Sequence, residues 1–469
     1  MTSRPIYLDH QATTPLDPRV LDEMLPYLTT EYGNPNSAHA YGRAAAKAVA
    51  TARRQVADLV GAKNPVEVVF TSGATEANHL AIVGGALAKR PYGGHIVTTA
   101  IEHKAVLAAV QRLVDHHGYT STRVAVDEHG RVHPGDIAAA LTPNTVLVSV
   151  MHANNEIGTL QQIAVISQLT APRGILLHTD AAQSAGYGLF DADELGVDLA
   201  SLSAHKLYGP KGIGALYVRS GTLLTAQQTG GGQERGLRAG TLNVPAIVGL
   251  GAAAHLITSD TAPSPTQIRA LRDRLQDRLL DALPGATVNG HPSRRIPGSL
   301  SLTLPDTEAA DVLDHLPDIA AATGSACNTG TGEPSHVLTA IGLTRTQARR
   351  TLRLGIGRTT TAAEVERAAA LIAQATARHR PPRSSAARGS AARAPAGSLT
   401  VSKSPAGPTY LTYRSDVLPR LPQQEGLGAG HRFCRGDHHV PESRRPVPSA
   451  RRSTRTPGSS RPRSSSTTP

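Results

Sequence analysis

Short, uniformly apolar runs alternate with longer stretches of helical period through roughly the first four-fifths of the chain. Residues 66–71, 95–99, 145–150, 175–179, 198–203 and 214–218 are rich in β-branched side chains, bounded by turn formers and free of polar alternation. That is the pattern of strands buried on both faces of a parallel sheet. Between them, residues 75–88, 103–116, 134–141 and 163–170 carry apolar positions at helical spacing. Alternation of this kind predicts an α/β domain with a mostly parallel sheet. The texture changes after about residue 250: a long helix over 265–282, strands at 287–288 and 299–304, a helix over 308–316 and a last helix over 362–377 predict a smaller α+β domain. The expected division is 1–15 joining the smaller domain or lining the site, 16–250, 251–380, and a remainder from 381 to 469.

In open α/β sheets ligands sit beyond the carboxyl ends of the strands. Here those ends read Thr71-Ser72-Gly73-Ala74-Thr75-Glu76, Ala100-Ile101-Glu102-His103, Met151-His152-Ala153-Asn154-Asn155-Glu156, Asp180-Ala181-Ala182-Gln183 and Ser203-Ala204-His205-Lys206. Polar and titratable groups recur at almost every one, which a purely structural sheet does not require. Small residues at Ser72-Gly73-Ala74-Thr75 let backbone N–H groups meet an anion where a helix opens, although Ser and Thr there also serve as plain caps. A lysine after an apolar strand, Lys206, suits Schiff-base chemistry; taken singly, most such lysines are simple surface groups. Asp180 is either a helix cap or the partner of a protonated ring nitrogen. Anion cradle, strand-end acid and strand-end lysine together are what pyridoxal phosphate needs. The run Gly209-Pro210-Lys211-Gly212-Ile213-Gly214 lacks P-loop order and reads as a tight connection into the next strand.

Composition refines this picture. The chain has 469 residues and a formal net charge of +12, which taken whole suggests a nucleic-acid or membrane-surface binder. Residues 381–469 hold 15 Lys and Arg against four Asp and Glu, with 13 prolines and 15 serines, so nearly all the excess lies there. Such a segment is expected to be disordered, either a solvated overhang or a basic arm able to touch nucleic acid. The body before it is close to neutral. Two cysteines exclude a disulfide framework and a cysteine-based zinc site. The absence of Trp and 3% aromatics argue against stacking platforms for single-stranded nucleic acid. No HExxH or similar metal spacing occurs, and His116-His117 reads as a solvated helix end. The N-terminus carries no basic stretch followed by an apolar run, and no apolar stretch is long enough to span a bilayer, so no membrane association and a cytoplasmic location are expected. Cys327, the only cysteine of the body, lies in Ala322-Thr323-Gly324-Ser325-Ala326-Cys327-Asn328-Thr329-Gly330. Its small polar neighbours favour a reactive thiol over a small buried hydrophobe. Cys434 falls in the basic segment and receives no role.

These residues resemble the class I (NifS/IscS-like) cysteine desulfurases over essentially residues 5–378. The resemblance is carried by Tyr7-Leu8-Asp9-His10-Gln11-Ala12-Thr13-Thr14, Phe70-Thr71-Ser72-Gly73-Ala74-Thr75-Glu76, Met151 to Gly158, His178-Thr179-Asp180-Ala181-Ala182-Gln183, Ser201 to Lys206, Gly230-Gly231-Gly232-Gln233-Glu234-Arg235 and Gly324-Ser325-Ala326-Cys327. It implies the α/β fold of fold-type I pyridoxal phosphate enzymes, a homodimer, L-cysteine as substrate and a sulfur-acceptor protein as partner. It further implies that Lys206 binds pyridoxal 5'-phosphate as a Schiff base, that Asp180 holds the pyridine nitrogen, and that His103 stacks on the ring and shuttles a proton. Ala74, Thr75, Ser203 and His205 would hold the phosphate, with Thr241 reaching a phosphate in the partner subunit. Asn155 and Gln183 would contact the ring and its hydroxyl, Asn34 and Arg353 the substrate carboxylate, and Cys327 would carry the persulfide. The pair His10-Gln11 and the Ala322-Thr323 before Gly324 depart from common members and look most like the DndA-type desulfurase of bacterial DNA phosphorothioation systems. A housekeeping desulfurase for iron–sulfur assembly or tRNA thiolation is the near alternative. A selenocysteine lyase or aminotransferase of the same fold would share Lys206 and Asp180.

Overall fold

The computed structural model describes residues 4–259, 263–324 and 333–378. Cys327 and the basic segment from 381 onward, for which expectations were stated above, lie outside the described residues.

Among the described residues there are thirteen strands: β1 Ile6–Tyr7, β2 Val68–Thr71, β3 His95–Thr99, β4 Thr120–Val124, β5 Thr145–Ser149, β6 Leu176–Asp180, β7 Leu199–Ser203, β8 Gly214–Val218, β9 Thr287–Asn289, β10 Ser299–Thr303, β11 Ile319–Ala320, β12 Ala322–Thr323 and β13 Thr351–Gly355. The main sheet has seven strands in the order β2-β8-β7-β6-β5-β3-β4. It is parallel from β7 through β4, and β8 runs antiparallel to both neighbours. Strands β3, β7 and β8 are buried along their whole length, including polar residues such as His95 and Ser201, as strands covered on both faces must be.

Helix Ala40–Val60 lays Ala45, Val49, Ala52, Val56 and Val60 into the core that also takes Val97, Val148, Leu177 and Ala200 of the sheet. Helix Val244–Thr258 belongs to the same core and is apolar nearly all round, which erases the two-faced pattern by which a helix is found in sequence. Edge strand β4 has the opposite defect: it reads TSTRV and only Val124 is buried, so no apolar run marks it.

The stretch expected as one helix over 75–88 is helical from Ala74 to Lys89, but it widens into a π-turn at Leu80–Gly84. The connection from Lys206 enters β8 at Gly214, where a Cβ would lie 2.7 Å from Gly73 backbone and collide with Leu202 O. Only glycine lets β8 run beneath the Ser72–Thr75 turn.

A second core surrounds an antiparallel sheet, β12-β13-β10-β9. Helix Pro265–Ala282 contributes Ile268, Leu275 and Leu279 to it, and helix Ala362–Arg378 contributes Val365, Ala368 and Ile372. Strand β1 pairs with β11, and its neighbour Leu8 is fully buried in this core. The chain then crosses β13: Asp9 bridges Gly355, a position where any Cβ would strike Gln11 Oε1. The N-terminal segment thereby passes from the smaller sheet to the carboxyl ends of the larger one.

Candidate active site

Those carboxyl ends open into a cavity of about 740 Å³. Ten of the thirteen residues nominated from sequence line it: Ala74, Thr75, His103, Asn155, Asp180, Gln183, Ser203, His205, Lys206 and Arg353. Asn34 and Thr241 do not; both are exposed elsewhere, and Asn34 Oδ1 accepts a hydrogen bond from its own loop at Asn36 N. Cys327 lies outside the described residues. The flanking residues are placed, however: Ala322 on β12 stands opposite Arg353 on β13, and Gly324 N donates to Thr351 O at 2.9 Å. The chain leading to the thiol therefore departs beside a cavity residue.

Asp180 ends β6 and is 7% exposed. One carboxylate oxygen accepts from Asn78 Nδ2 at 2.8 Å and the other from Ala182 N at 3.0 Å. Asn78 occupies the last turn before the π-turn. Those two bonds fix the carboxylate plane without consuming all its lone pairs. His103 caps helix Lys104–His117 by accepting from Ala105 N on Nδ1 at 3.1 Å. A neutral His103 must then carry its proton on Nε2.

Lys206 ends a short 3₁₀ turn after β7, and Tyr208, two residues on, has φ 64°. A non-glycine residue there stores strain, and three bonds hold it: Tyr208 N donates to Thr14 Oγ1 at 2.8 Å, Arg358 N donates to Tyr208 Oη at 2.6 Å, and the Arg358 guanidinium lies 4.4 Å over the ring. Lys206 Nζ donates to the carbonyl of Gln11 and, at 2.8 Å, to that of Ala12. Gln183 Nε2 donates to the same Gln11 carbonyl at 3.0 Å. His205 meets Thr13 Oγ1 at 3.1 Å. Burial, reinforced by the charges of Lys206 and Lys211, pushes its imidazole down to about 4, so it is neutral near pH 7.

Arg353 comes from the other sheet. Its side chain is 4% exposed, with Nη2 2.9 Å from Asp9 Oδ1 and Nη1 3.5 Å from Asn155 O. Its Nε is buried with no hydrogen-bond partner among the described residues. A fixed guanidinium with a donor to spare, facing a cavity, is suited to a carboxylate.

Several groups in or beside the cavity received no role from the sequence. Asp9 and Gln11 orient Arg353 and Lys206 from a segment remote in sequence. Glu102, fully buried, accepts from Thr99 Oγ1 at 2.6 Å and Met151 N at 3.0 Å. Burial drives its carboxyl up to about 8, with the nearby Asp180 charge adding to the shift. Glu156 is pushed up to about 7 by burial, partly offset by the Ser335 hydroxyl that donates to it. Both adjoin nominated residues, His103 and Asn155, and adjacency was their one signal.

A turn of helix N-terminal amides, a fixed strand-end carboxylate and a lysine on one cavity fit pyridoxal phosphate as a donor set. Among the described residues no group of three or more acidic, His or Cys side chains is disposed to hold a metal, and no helix is long and apolar enough to cross a membrane.

Comparison with known proteins agrees with this fold and with pyridoxal phosphate as the cofactor. The chain matches the family described as aminotransferase class-V over residues 6–368. It is 47% identical over 373 residues to the cysteine desulfurase IscS of Anaeromyxobacter dehalogenans (strain 2CP-C), covering 79% of this chain and 92% of that one. A solved NifS-like protein superposes with a TM-score of 0.73 at 35% identity, over 79% of this chain and 98% of the other. DndA from Streptomyces lividans does so with a TM-score of 0.62 at 38% identity, over 73% and 97%. The chain belongs to the class-V aminotransferase family of fold-type I pyridoxal phosphate enzymes, and within it to the cysteine desulfurases. It is a pyridoxal phosphate-dependent cysteine desulfurase of the NifS/IscS-like kind.

Proposed function

We propose that this enzyme takes sulfur from L-cysteine onto Cys327 as a persulfide, releases L-alanine, and passes the sulfur to an acceptor protein serving DNA phosphorothioation. The observation that supports the first part most directly is the meeting of Lys206, Asp180 and Arg353 on one cavity beside the strand that leads to Cys327. Bound pyridoxal phosphate supplies an electron sink for negative charge developing at the substrate Cα. Ala74, Thr75, Ser203 and His205 hold its phosphate, Asn155 and Gln183 its ring and hydroxyl, and Asp180 its ring nitrogen. Lys206 Nζ would hold it covalently and, once free, would accept the Cα proton. Arg353 would pair with the substrate carboxylate. His103 would stack on the ring and shuttle a proton to the product as an imidazolium that has released the Ala105 N–H from Nδ1. The Cys327 thiolate attacks the substrate sulfur: an Sγ–S bond forms, the Cβ–S bond breaks, and its electron pair stays with the carbon fragment, which gains a proton to become alanine. Thr241 is exposed on its own chain, as a residue serving the partner of a homodimer would be.

The phosphorothioation route is supported by His10-Gln11 and Ala322-Thr323 together with the DndA superposition. The 47% identity to a chain named IscS favours iron–sulfur assembly or tRNA thiolation as the second reading. Two measurements decide. Cys327→Ser is expected to keep the cofactor spectrum and lose transfer of labelled sulfur to the protein; full sulfur release would sink the persulfide role. Deleting the gene in its host is expected to remove phosphorothioate linkages from digested genomic DNA. Intact linkages with failing iron–sulfur enzymes would replace the first reading by the second.

A further inference from the structure

Glu76 is a cavity residue to which no role has yet been given. It stands one residue beyond the amides of Ala74 and Thr75, the first helical N–H groups after Gly73, which have no intrahelical acceptor. Its Oε2 accepts from Ser72 N at 2.8 Å, closing the turn back on itself. A carboxylate in that place suits the helix dipole, but it opposes a second anion on the adjacent amides. The phosphate of the cofactor brings nearly two negative charges to this spot.

The opposing charge is met from a distant loop. Arg238 Nε lies 2.8 Å from Glu76 Oε1, and Nη2 lies 3.4 Å from Oε2, a side-on pairing. Each side chain is about a fifth exposed, 20% for Arg238 and 24% for Glu76. Although burial alone raises the Glu76 carboxyl, the Arg238 side chain and the Ser72 N–H bring it below the ordinary carboxylate range, so it is ionised at neutral pH.

The loop that presents Arg238 is itself rigidly specified. Glu234 and Arg235 both adopt left-handed backbone, with φ 46° and 58°, a conformation non-glycine residues hold only when the surroundings enforce it. The enforcement is visible. The Glu234 carboxylate, with 1% side-chain exposure, pairs with Arg53 at 2.6 Å and accepts from Phe70 N at 2.8 Å. Gln228 and Ala239 bond to one another, Ala239 N to Gln228 O at 3.1 Å and Gln228 Nε2 to Ala239 O at 2.7 Å. Gly240 N donates to Gln233 Oε1 at 3.0 Å. Arg238 is thus held between two anchored turns and aimed at Glu76.

We propose that Arg238 is a positioning residue for the cofactor phosphate: by pairing side-on with Glu76 it neutralises the carboxylate at the rim of the Ser72–Thr75 cradle and keeps it in the capping geometry, leaving the Ala74 and Thr75 amides to the dianion. This rests on the assignment of the phosphate to that cradle in the preceding subsection. The residue acts through Glu76 and does not touch the reacting atoms.

The test is cofactor affinity, read by spectrophotometric titration of full-length apoenzyme with pyridoxal phosphate and, separately, with pyridoxal, which lacks the phosphate. Arg238→Met is expected to weaken pyridoxal phosphate roughly tenfold through charge repulsion and to leave pyridoxal within about twofold. Glu76→Gln is expected to bind pyridoxal phosphate at least as well as the native chain. The double variant is expected to recover most of what Arg238→Met loses, because the charge needing neutralisation is gone. Equal loss of both ligands in Arg238→Met, or no recovery in the double variant, overturns the proposal and leaves Arg238 a structural residue. Ala74→Pro, which removes one of the cradle amides at a first-turn position that tolerates proline, separates the two layers of the reading. If it leaves the ratio of the two affinities unchanged, the phosphate is not on this cradle and both assignments fall. If it lowers the ratio while Arg238→Met does not, only the role of Arg238 falls.

Discussion

The seven-stranded sheet and the four-stranded sheet supply the same cavity in different ways. Each residue from the large sheet lies at or just beyond the end of a strand and takes part of its support locally, Asp180 from Ala182, His103 from Ala105 and Lys206 from the turn at Tyr208, while Asn78 and the carbonyls of Gln11 and Ala12 reach Asp180 and Lys206 from farther along the chain. The small sheet sends Arg353, in the middle of β13, whose carboxylate partner Asp9 is 344 positions away. One region builds a local constellation aligned by parallel strands. The other builds a long-range anchor that exists only once β1, β11 and β13 have come together. The first suits cofactor chemistry, where the groups must hold relative to one another. The second suits recognition of a substrate carboxylate, because it tethers the N-terminal segment, the smaller core and the cavity to a single guanidinium.

This division is broken most severely at Lys206. Lys206→Ala is expected to lose the visible imine absorbance of the holoenzyme and to lower alanine formation by roughly a thousandfold or more, with little change in fold by circular dichroism. A variant that kept both the absorbance and the turnover would remove the large sheet from the chemistry altogether.

Asp9→Asn probes the other region and is expected to act more gently and in a different parameter. The guanidinium would lose its charged partner while Asp180, His103 and Lys206 stay in place, so the KM for L-cysteine should rise about five- to tenfold, less than the full worth of a charged hydrogen bond because the Asn oxygen still accepts. The kcat and the cofactor spectrum should change less than about twofold. If kcat fell and KM did not, Arg353 would belong to the chemistry rather than to substrate holding, and the contrast between the two regions would collapse.

Legibility in the sequence follows the same line. The buried parallel strands were found to within one or two residues because a strand covered on both faces writes an unbroken apolar run, and their carboxyl ends then named Asp180, Ser203, His205 and Lys206 as neighbours in space. Helix Val244–Thr258 left no two-faced pattern to find, and strand β4, at the sheet edge, left no apolar one. Strand β13 went unassigned because TLRLG places a buried arginine among its apolar residues. Arg353 was therefore nominated by resemblance alone. Nothing local marks Asp9 as its partner, and nothing in Ile101-Glu102-His103 tells that Met151 N, from the neighbouring strand end, will close over Glu102.

Glu102 provides the finest test, since it lies within the local constellation but should be almost silent in catalysis. Its carboxyl keeps its proton up to about pH 8 in the folded chain, against an ordinary value of 4.5. Between those limits unfolding releases a proton, so raising the pH favours the unfolded state. This one group should lower stability by about 1.4 kcal/mol per pH unit across that window and contribute no slope outside it. Buried His10, His152, His178 and His205, each held down near 4, act in the opposite sense: unfolding takes up protons between about 4 and 6.5, so rising pH favours the fold there, and their contribution is constant above. Glu156, raised to about 7, adds to the fall below that pH, so the interval from pH 7 to 8 is where Glu102 is seen apart from both Glu156 and the histidines. Glu102→Gln is expected to flatten the fall in denaturant-derived stability over that interval while turnover at pH 7 stays within about twofold, because the neutral amide oxygen can still accept from Thr99 and Met151. A slope left unchanged would mean that Glu102 is ionised in the folded chain. Asp180 would then share its buried surroundings with a second negative charge.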